Sequence, residues 1–312
     1  MRPIEPTIEL LSNPFTRYLA ATRPAFITAS LMACLIGLAV ASHDGIAFDV
    51  PLALVTLIFA LLAHAGTNVV NDYYDALNGT DAMNTERIFP LTGGSRFIQN
   101  GVMTPTQMRN FGFALLAGVA LAGLWLMAHS APQLLYIGLI GLFIGWAYSA
   151  PPFNLVGRGW GELCVVAGIL AVTVGTDFVQ RRVFSAAPFI AGLSYALLAT
   201  SLLYITQFPD RKADKAAGKL HWVARLDVRQ ARWGYTLIVL LAYAWLLLSV
   251  VHGCLPLSAL LALLALPFSI QATRLLFRNA ARPKQLGGAI KLSIGALLAH
   301  GALLSIGLLS GK

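Results

Sequence analysis

The chain has 312 residues, of which 57% are hydrophobic and 11% are charged, and its formal net charge is +9. Because a soluble domain carries about 25% charged residues, this composition excludes an ordinary soluble protein and indicates a membrane protein. The positive charge alone would be compatible with nucleic-acid binding, so its distribution along the chain decides its meaning. Cys34, Cys164 and Cys254 lie in or beside apolar stretches with no paired spacing, which argues against a disulfide framework or a zinc site.

Nine apolar segments follow one another along the chain, each long enough to cross the roughly 30 Å hydrocarbon core of a bilayer. They cover approximately 24–42, 51–74, 110–128, 132–149, 160–178, 185–206, 232–251, 255–277 and 288–309. None alternates like a barrel strand, so each is expected to be an α-helix that satisfies its own backbone. We therefore predict an all-α, polytopic membrane protein with nine transmembrane helices, forming one domain over residues 1–312.

The basic residues predict the orientation of these helices. If the N-terminus is cytoplasmic, 19 of the 22 Lys and Arg residues fall on the cytoplasmic side, and Arg181, Arg182 and Lys312 fall on the other. This is the bias of the positive-inside rule, and it accounts for the net charge without a nucleic-acid partner. The predicted active-site loops are the cytoplasmic segments 75–107, 148–160 and 207–231, and the expected location is the inner (cytoplasmic) membrane of the cell.

A cluster of acidic and amide side chains lies at the cytoplasmic end of the second apolar segment, and Gly79 permits the helix to end there. Its members are Asn68, Asn71, Asp72, Asp75 and Asp81. Asn71 and Asp75 are four residues apart and share a helical face. Aspartates at a helix C-terminus oppose the helix dipole, so capping explains them poorly. Carboxylate and amide oxygens suit Mg²⁺, which takes one or two carboxylates plus substrate phosphates; the alternative is a solvated helix end.

The next two loops carry arginines among glycines and prolines. Arg87 and Arg96 flank the stretch Thr-Gly-Gly-Ser at 92–95, whose backbone and guanidinium groups are suited to close over a diphosphate. A flexible loop without a ligand is the alternative, and the P-loop lysine spacing is missing, so nucleotide binding is not expected. The turn at 148–162 carries Arg158, for which a phosphate contact and a structural role are equally consistent.

A second acidic pair, Asp210 and Asp214, follows the sixth apolar segment. Pro209 is expected to begin a helix there, which places the two carboxylates one turn apart on one face. Two acidic clusters at corresponding helix ends can hold two Mg²⁺ ions that bridge one diphosphate, and nearby lysines can neutralise the remaining phosphate charge. These lysines are Lys212, Lys215 and Lys219. Taken alone, this segment also fits an amphipathic helix at the membrane surface.

These motifs resemble those of the UbiA superfamily of intramembrane prenyltransferases. Asn71-Asp72-x-x-Asp75 is similar to the first Asp-rich motif of the family, Asp210-x-x-x-Asp214 is similar to the second, and the stretch 148–162 also corresponds. The resemblance covers nearly the whole chain. Within the superfamily, the stretches 71–81, 92–96 and 208–219 look most like the menaquinone branch, the 1,4-dihydroxy-2-naphthoate polyprenyltransferases.

The resemblance implies Mg²⁺-dependent transfer of a polyprenyl group from polyprenyl diphosphate to an aromatic acceptor, by a protein embedded in the lipid bilayer. The catalytic metal ligands are then Asp72, Asp75, Asp210 and Asp214, assisted by Asn71, Asn68 and Asp81. The side chains expected at the diphosphate are Arg87, Arg96, Arg158, Lys212 and Lys215. Tyr148 and Tyr204 are candidates to shelter an allylic cation.

Small departures from the family pattern bear on the acceptor. The last aspartate of the first motif stands at 81, where the commonest superfamily spacing places it at 79, although the menaquinone branch shares the later position. Gln207 stands where Asn is common, and Lys212 where an acidic residue is common. The alternative acceptors are 4-hydroxybenzoate, homogentisate and a chlorophyll-type ring. A secondary transporter is the alternative from another class, but its polar groups should lie near the bilayer midplane.

Overall fold

The computed structural model describes residues 4–311, and within them the chain forms twelve α-helices, three 3₁₀ segments and no β-strand. The predicted all-α class is confirmed. The α-helices are α1 (Pro14–Ala21), α2 (Pro24–His43), α3 (Val50–Leu77), α4 (Thr80–Met83), α5 (Pro105–His129), α6 (Leu134–Ala147), α7 (Gly161–Arg181), α8 (Ala187–Ala216), α9 (Trp222–Arg225), α10 (Val228–Val251), α11 (Leu266–Asn279) and α12 (Gly287–Ser310). Arg2 and Lys312, which enter the charge count, lie outside the described residues.

Eight helices in the described part of the chain are long and apolar enough to cross a membrane. They are α2, α3, α5, α7, α8, α10, α12 and the helix Leu257–Asn279, in which a 3₁₀ segment, Leu257–Ala265, continues into α11. The segment predicted at 132–149 forms the shorter α6, whose 14 residues extend only about 21 Å at 1.5 Å per residue. The multi-pass membrane protein is therefore confirmed, whereas the count of nine crossings and the N-terminal orientation stay predictions.

Pro209 does not begin a helix, which corrects the sequence-based prediction. Helix α8 continues from Ala187 to Ala216 with Pro209 inside it, so residues 207–216 are helical and do not belong to a loop. A proline in a helix interior removes one hydrogen bond and costs about 3 kcal/mol. Since α8 packs against α7, α10 and α12 and Pro209 is itself buried, tertiary packing offsets this loss. Asp210 and Asp214 are consequently held one turn apart on a rigid element.

Glycines allow close approach between helices around the centre of the protein. Gly37 of α2 lies directly against the carbonyl of Thr173 in α7, and an added Cβ there would also be 3.2 Å from the Asp177 nitrogen. Gly112 of α5 faces Val70 of α3 in the same manner. Small residues at such contacts are the usual basis of helix packing in membranes. They fix α2, α3, α5 and α7 around a shared interior space.

Replacing Gly37 with alanine is expected to lower the free energy of unfolding by about 1–3 kcal/mol, because the extra methyl group overpacks the α2–α7 contact. Gly118 of α5 has no atom within 4 Å of the position of an added Cβ. There the same substitution should stabilise by about 0.5–1 kcal/mol through helix propensity alone. Thermal unfolding of both variants in one detergent measures the difference, and equal shifts would contradict the assigned packing.

An ion-pair network joins the helix ends that lie far from the acidic motifs. Arg181 contacts Asp177 at 2.8 Å and Asp44 at 2.6 Å. Gln180 exchanges hydrogen bonds of 2.8 and 3.2 Å with the backbone of Asp49. These contacts connect the ends of α2, α3 and α7. Of the two clustered arginines on this side, Arg181 therefore has a structural role.

Candidate active site

A cavity of about 610 Å³ runs between the helices of the bundle. Its apolar part lies between α3, α5, α6 and α7 and includes Phe59, Leu116, Leu142 and Ile169. Its other end is lined by charged and amide side chains. These are Arg23, Asn68, Asn71, Asp75, Asp81, Asn84, Gln207, Asp210, Asp214, Lys219 and His221. One continuous space therefore joins an apolar tunnel to a charged end.

The end of α3 supplies the first group of oxygens. Asn71 and Asp75 lie one turn apart, as expected, and the Asn71 amide donates hydrogen bonds to Asp75 Oδ2 at 3.1 Å and to Ser149 Oγ at 2.8 Å. Asn68 lines the cavity one turn earlier and donates to the Thr22 carbonyl at 3.1 Å. The helical spacing read from the sequence thus places these three side chains along one side of the cavity.

Asp72 is buried beside this group and faces the loop after α4. Its Oδ2 accepts the Ser95 N–H at 3.2 Å, and its Oδ1 lies 3.7 Å from Arg23 without a hydrogen-bond partner among the described residues. A buried carboxylate oxygen without a donor is costly. It is consistent with a site that receives a cation.

Asp81 returns to the cluster because Gly79 adopts a positive φ of 81° and starts the short helix α4. Its side chain is only 4% exposed. Burial, together with the nearby Asp75 and Asp72, raises the pKa of Asp81 to about 8. Gly94 packs so closely on this carboxylate that an added Cβ would lie 2.6 Å from Asp81 Oδ2. Three carboxyl groups therefore crowd together here, and burial and their mutual repulsion favour the protonated form of Asp81.

The second pair of carboxylates faces the first across the cavity. Asp210 accepts hydrogen bonds from the Asn84 amide at 2.6 Å and from the Gly93 N–H at 3.2 Å. Asp214 lies 2.9 Å from His221 Nε2. The loop after α4 therefore holds Asp210, and the residue at the start of α9 holds Asp214.

Lys219 connects the two acidic motifs. Its Nζ lies 2.8 Å from Asp75 Oδ2 and 3.8 Å from Asp214 Oδ1. Burial alone would lower the pKa of Lys219, but the two carboxylates beside it raise this pKa above its ordinary value of 10.5. The ammonium group therefore stands between the motifs as a permanent positive charge.

The five basic residues expected at the diphosphate lie elsewhere, and among the described residues that line the cavity the Lys and Arg side chains are Lys219 and Arg23. Lys212 is 76% exposed and pairs with Glu86, and Lys215 is exposed. Arg158 is exposed and donates to the Pro152 carbonyl at 2.6 Å. In the sequence, no local pattern distinguishes Lys219 from the neighbouring lysines. Arg23 likewise resembles the other basic residues at the ends of apolar segments.

Arg87 and Arg96 are held by the N-terminal segment. Glu5 accepts from Arg87 Nε at 2.7 Å and lies 3.8 Å from Arg96 Nε, and it also accepts from the Asn100 amide at 3.3 Å. Arg96 donates to the backbone carbonyl of Asp81. Both arginines therefore shape the loop over the site, and Glu5 fastens that loop to the start of the chain.

Replacing Glu5 with glutamine is expected to speed hydrogen exchange of residues 87–101 about twofold to fivefold, as a partly exposed ion pair contributes up to about 1 kcal/mol. Partial burial raises the pKa of Glu5, but the hydrogen bonds from Arg87 and Asn100 outweigh this effect, so the pKa lies below its ordinary value of 4.5. The ion pair therefore contributes fully above pH 4.5 and less as the pH falls through the lowered pKa. Exchange in Glu9→Gln, at an exposed carboxylate, should match the wild type; equal exchange in both variants would contradict the role of Glu5.

The two tyrosines differ in position. Tyr148 lines the cavity beside the charged end. Tyr204 is 3% exposed and belongs to the packed core, where its hydroxyl lies against Gly234 of α10, and it is absent from the described cavity lining. The sequence places both near helix ends, but only the packing of α8 on α10 distinguishes them.

The oxygens present fit Mg²⁺. Within the described residues no three His, Cys, Asp or Glu side chains are close enough to hold one ion by themselves. This agrees with the ordinary manner of Mg²⁺ binding, by one or two carboxylates per ion with substrate phosphates and water completing the shell. A divalent ion here would bind the unpartnered Asp72 Oδ1 and would favour the ionised form of Asp81, whose pKa is raised to about 8 by burial and by the neighbouring Asp75 and Asp72.

Two solved structures share this fold. A UbiA homolog from Aeropyrum pernix K1 superposes with a TM-score of 0.63 at 14% identity, covering 90% of this chain and 98% of that one. A UbiA homolog from Archaeoglobus fulgidus, solved bound to GPP and Mg²⁺, gives a TM-score of 0.53 at 17% identity, covering 93% and 99%. The chain thus shares the fold of these UbiA homologues.

The model of the UbiA prenyltransferase family matches residues 30–295, and the chain belongs to this family. The predicted enzyme class, a prenyltransferase, is confirmed. A relative from Escherichia coli named 1,4-dihydroxy-2-naphthoate octaprenyltransferase is 30% identical over 84% of this chain and 85% of its own. Another from Synechocystis, named 2-carboxy-1,4-naphthoquinone phytyltransferase, is 27% identical over 94% of both chains.

Proposed function

We propose that this protein transfers a polyprenyl group from polyprenyl diphosphate to 1,4-dihydroxy-2-naphthoate, in a Mg²⁺-dependent reaction. The observation that carries this proposal is the single cavity whose apolar tunnel ends between two facing carboxylate motifs. A prenyl diphosphate has the same two-part chemistry, a long apolar tail and one strongly charged end. A transporter would need its polar groups near the midplane, whereas the charged and amide side chains that line this cavity lie at one end of it.

Asp72, Asp75, Asp210 and Asp214 would hold the metal, with Asn71, Asn68 and Asp81 as further oxygen donors. Bound Mg²⁺ would supply the charge that neutralises the diphosphate as it departs. Lys219 and Arg23, the cations of the cavity lining, would take the phosphate-facing role first expected of Arg87, Arg96, Arg158, Lys212 and Lys215. The ring of Tyr148 would face the developing allylic cation, and the apolar walls would keep water from it.

The identity of the acceptor is inferred from the substrates for which the relatives are named. The E. coli and Synechocystis relatives are both named for bicyclic aromatic substrates that carry a carboxyl group. We therefore propose a naphthoate in preference to a single-ring or chlorophyll-type acceptor. A carbon–carbon bond forms to the allylic carbon as its bond to the diphosphate oxygen breaks, and carbon dioxide leaves the acceptor ring.

The proposed topology is nine crossings with the N-terminus in the cytoplasm, in the inner membrane, as a single domain. Helix α6 would cross together with the turns that flank it. Nine crossings place the two termini on opposite sides, which labelling of single cysteines added at each end in intact cells would test. Both termini on one side would exclude this arrangement.

The function is tested with protein purified in detergent. Diphosphate release and product mass are measured for a panel of acceptors, with and without Mg²⁺. We expect a prenylated, decarboxylated naphthalene product only when Mg²⁺ is present. Turnover with 4-hydroxybenzoate or homogentisate instead would replace the proposed acceptor, and no diphosphate release with any acceptor would exclude the proposed reaction.

A further inference from the structure

A buried amide without a complete set of partners lines the cavity from α8. Gln207 is 5% exposed, and its Oε1 has no hydrogen-bond partner among the described residues. Along α8, Leu203 lines the cavity one turn earlier and Asp210 lines it one turn later. Gln207 therefore lies at the boundary between the apolar tunnel and the charged end. A buried carbonyl oxygen at this boundary is costly unless a ligand supplies a donor.

Glu162, at the start of α7, sets the orientation of this amide. Its Oε1 accepts a hydrogen bond from Gln207 Nε2 at 3.2 Å. Because a carboxylate only accepts hydrogen bonds, the nitrogen of the Gln207 amide must turn toward Glu162 and the oxygen must turn away from it. The other oxygen of Glu162, Oε2, is also buried without a partner. In the described part of the chain, this pair thus leaves two acceptor oxygens without a donor.

The two substrates of the proposed reaction differ in what they offer to these oxygens. A prenyl diphosphate consists of a hydrocarbon tail and phosphate oxygens, and neither part donates a hydrogen bond to a carbonyl group. A dihydroxynaphthoate carries two hydroxyl groups, each of which is a donor. Since the allylic carbon is bonded to the diphosphate, the attacking ring must reach the boundary where Gln207 lies. The ring hydroxyls are therefore the donors that this reaction brings to the pair.

From this geometry we infer that Gln207 accepts a hydrogen bond from a ring hydroxyl of the aromatic acceptor, and that Glu162 is the positioning residue that keeps the Gln207 oxygen available. This inference rests on the proposed function and adds a residue pair that selects hydroxylated rings. A site that pairs with a substrate hydroxyl rejects an analogue without it, because the buried oxygen then has no donor. Donation from the hydroxyl also enriches the ring in electrons, which favours its attack on the allylic carbon.

Binding of naphthoates that differ by one hydroxyl group tests the inference without turnover. The probes are 1-hydroxy-2-naphthoate, 4-hydroxy-2-naphthoate and 2-naphthoate, titrated into detergent-purified protein with empty micelles as the blank. In the wild type, one hydroxylated probe or both should bind about fivefold or more tightly than 2-naphthoate, and Gln207→Met should reduce this preference to less than about twofold. No preference in the wild type, or an unchanged preference in Gln207→Met, would overturn the inference.

The matched control is the preceding residue of the same helix. Thr206 also lines the cavity, but its hydroxyl already donates to the Leu203 carbonyl at 2.7 Å, so Thr206→Val should keep the preference. Glu162→Leu should lower the preference as Gln207→Met does, and it carries the same test if Gln207→Met does not yield folded protein. Glu162→Asp, which can still accept from the amide, should retain more of the preference. Equal weakening of all three probes by Glu162→Leu would contradict its positioning role.

A second measurement separates recognition of a hydroxyl group from metal binding. Because an amide oxygen can also hold Mg²⁺, the Mg²⁺ concentration that gives half-maximal binding of prenyl diphosphate is measured for Gln207→Met. It should stay within about twofold of the wild-type value. A larger increase would assign Gln207 to the metal and overturn the inference. Failure of the proposed function would appear instead as absent diphosphate release by the wild type with any acceptor.

Discussion

Replacing Asp75 with asparagine is expected to reduce Mg²⁺-dependent prenyl transfer by about a thousandfold or more, a loss of about 4 kcal/mol in transition-state stabilisation. Asp75 stands at the centre of the charged end, since its carboxylate contacts Asn71, Asn78 and Lys219. The amide keeps the size of the side chain and removes the negative charge that metal binding requires. Asp214→Asn should have an effect of the same order, because Asp214 is the facing carboxylate.

The matched control is Asp44→Asn, at a carboxylate that pairs with Arg181 at the far end of the helices. It should keep nearly full transfer activity. All three variants are compared for insertion, elution as a single species in detergent, and transfer of a radiolabelled prenyl group at several Mg²⁺ concentrations. Full activity in Asp75→Asn or Asp214→Asn would remove that residue from the proposed site.

Replacing Lys219 with methionine is expected to destabilise the metal-free protein by about 3 kcal/mol, because it leaves two buried carboxylates without their counter-charge. The side chains of Lys219, Asp75 and Asp214 are 12%, 10% and 5% exposed, so water cannot replace the ammonium group effectively. Added Mg²⁺ should therefore raise the unfolding temperature of Lys219→Met more than that of the wild type. Transfer activity should also fall, since a phosphate-facing cation is lost.

Two controls make this result specific. Lys212→Met removes an exposed lysine from the same helix end and should change neither the unfolding temperature nor its response to Mg²⁺. The double variant Asp75→Asn/Lys219→Met should be less destabilised than Lys219→Met alone, because one of the two repelling charges is gone. Strict additivity of the two substitutions would show that Lys219 does not act as the counter-charge of Asp75.

The features that the sequence predicts correctly are those set by local spacing. Apolar segments of about 20 residues give the spans, and a separation of four residues gives the common face of Asn71 and Asp75. The positions of Asp210 and Asp214 on one helical face also follow from spacing alone. The assignment of Pro209 fails because a local rule for helix starts competes with the packing of a buried helix, which the sequence does not display.

The side chains that neutralise charge could not be predicted in the same way. Lys212 and Lys219 both follow the second acidic motif, but Lys212 points to solvent while the chain after Gly218 returns Lys219 into the cavity. Arg23 enters the site from the start of α2, far from both acidic motifs in the sequence, and His221 reaches Asp214 from the start of α9. Tyr148 and Tyr204 both lie near helix ends, yet Tyr204 is covered by α10. Tertiary packing, which local spacing does not reveal, decides each of these cases.

The bridging lysine has a consequence for how the protein is made. A site built only from carboxylates would remain electrostatically unsatisfied until a divalent ion arrived, and its loops would stay open during insertion. With Lys219 between Asp75 and Asp214, the chain can close its charged end as soon as α8 is in place. We therefore expect the protein to fold without Mg²⁺, and an ion bound at the proposed site would arrive later together with the substrate.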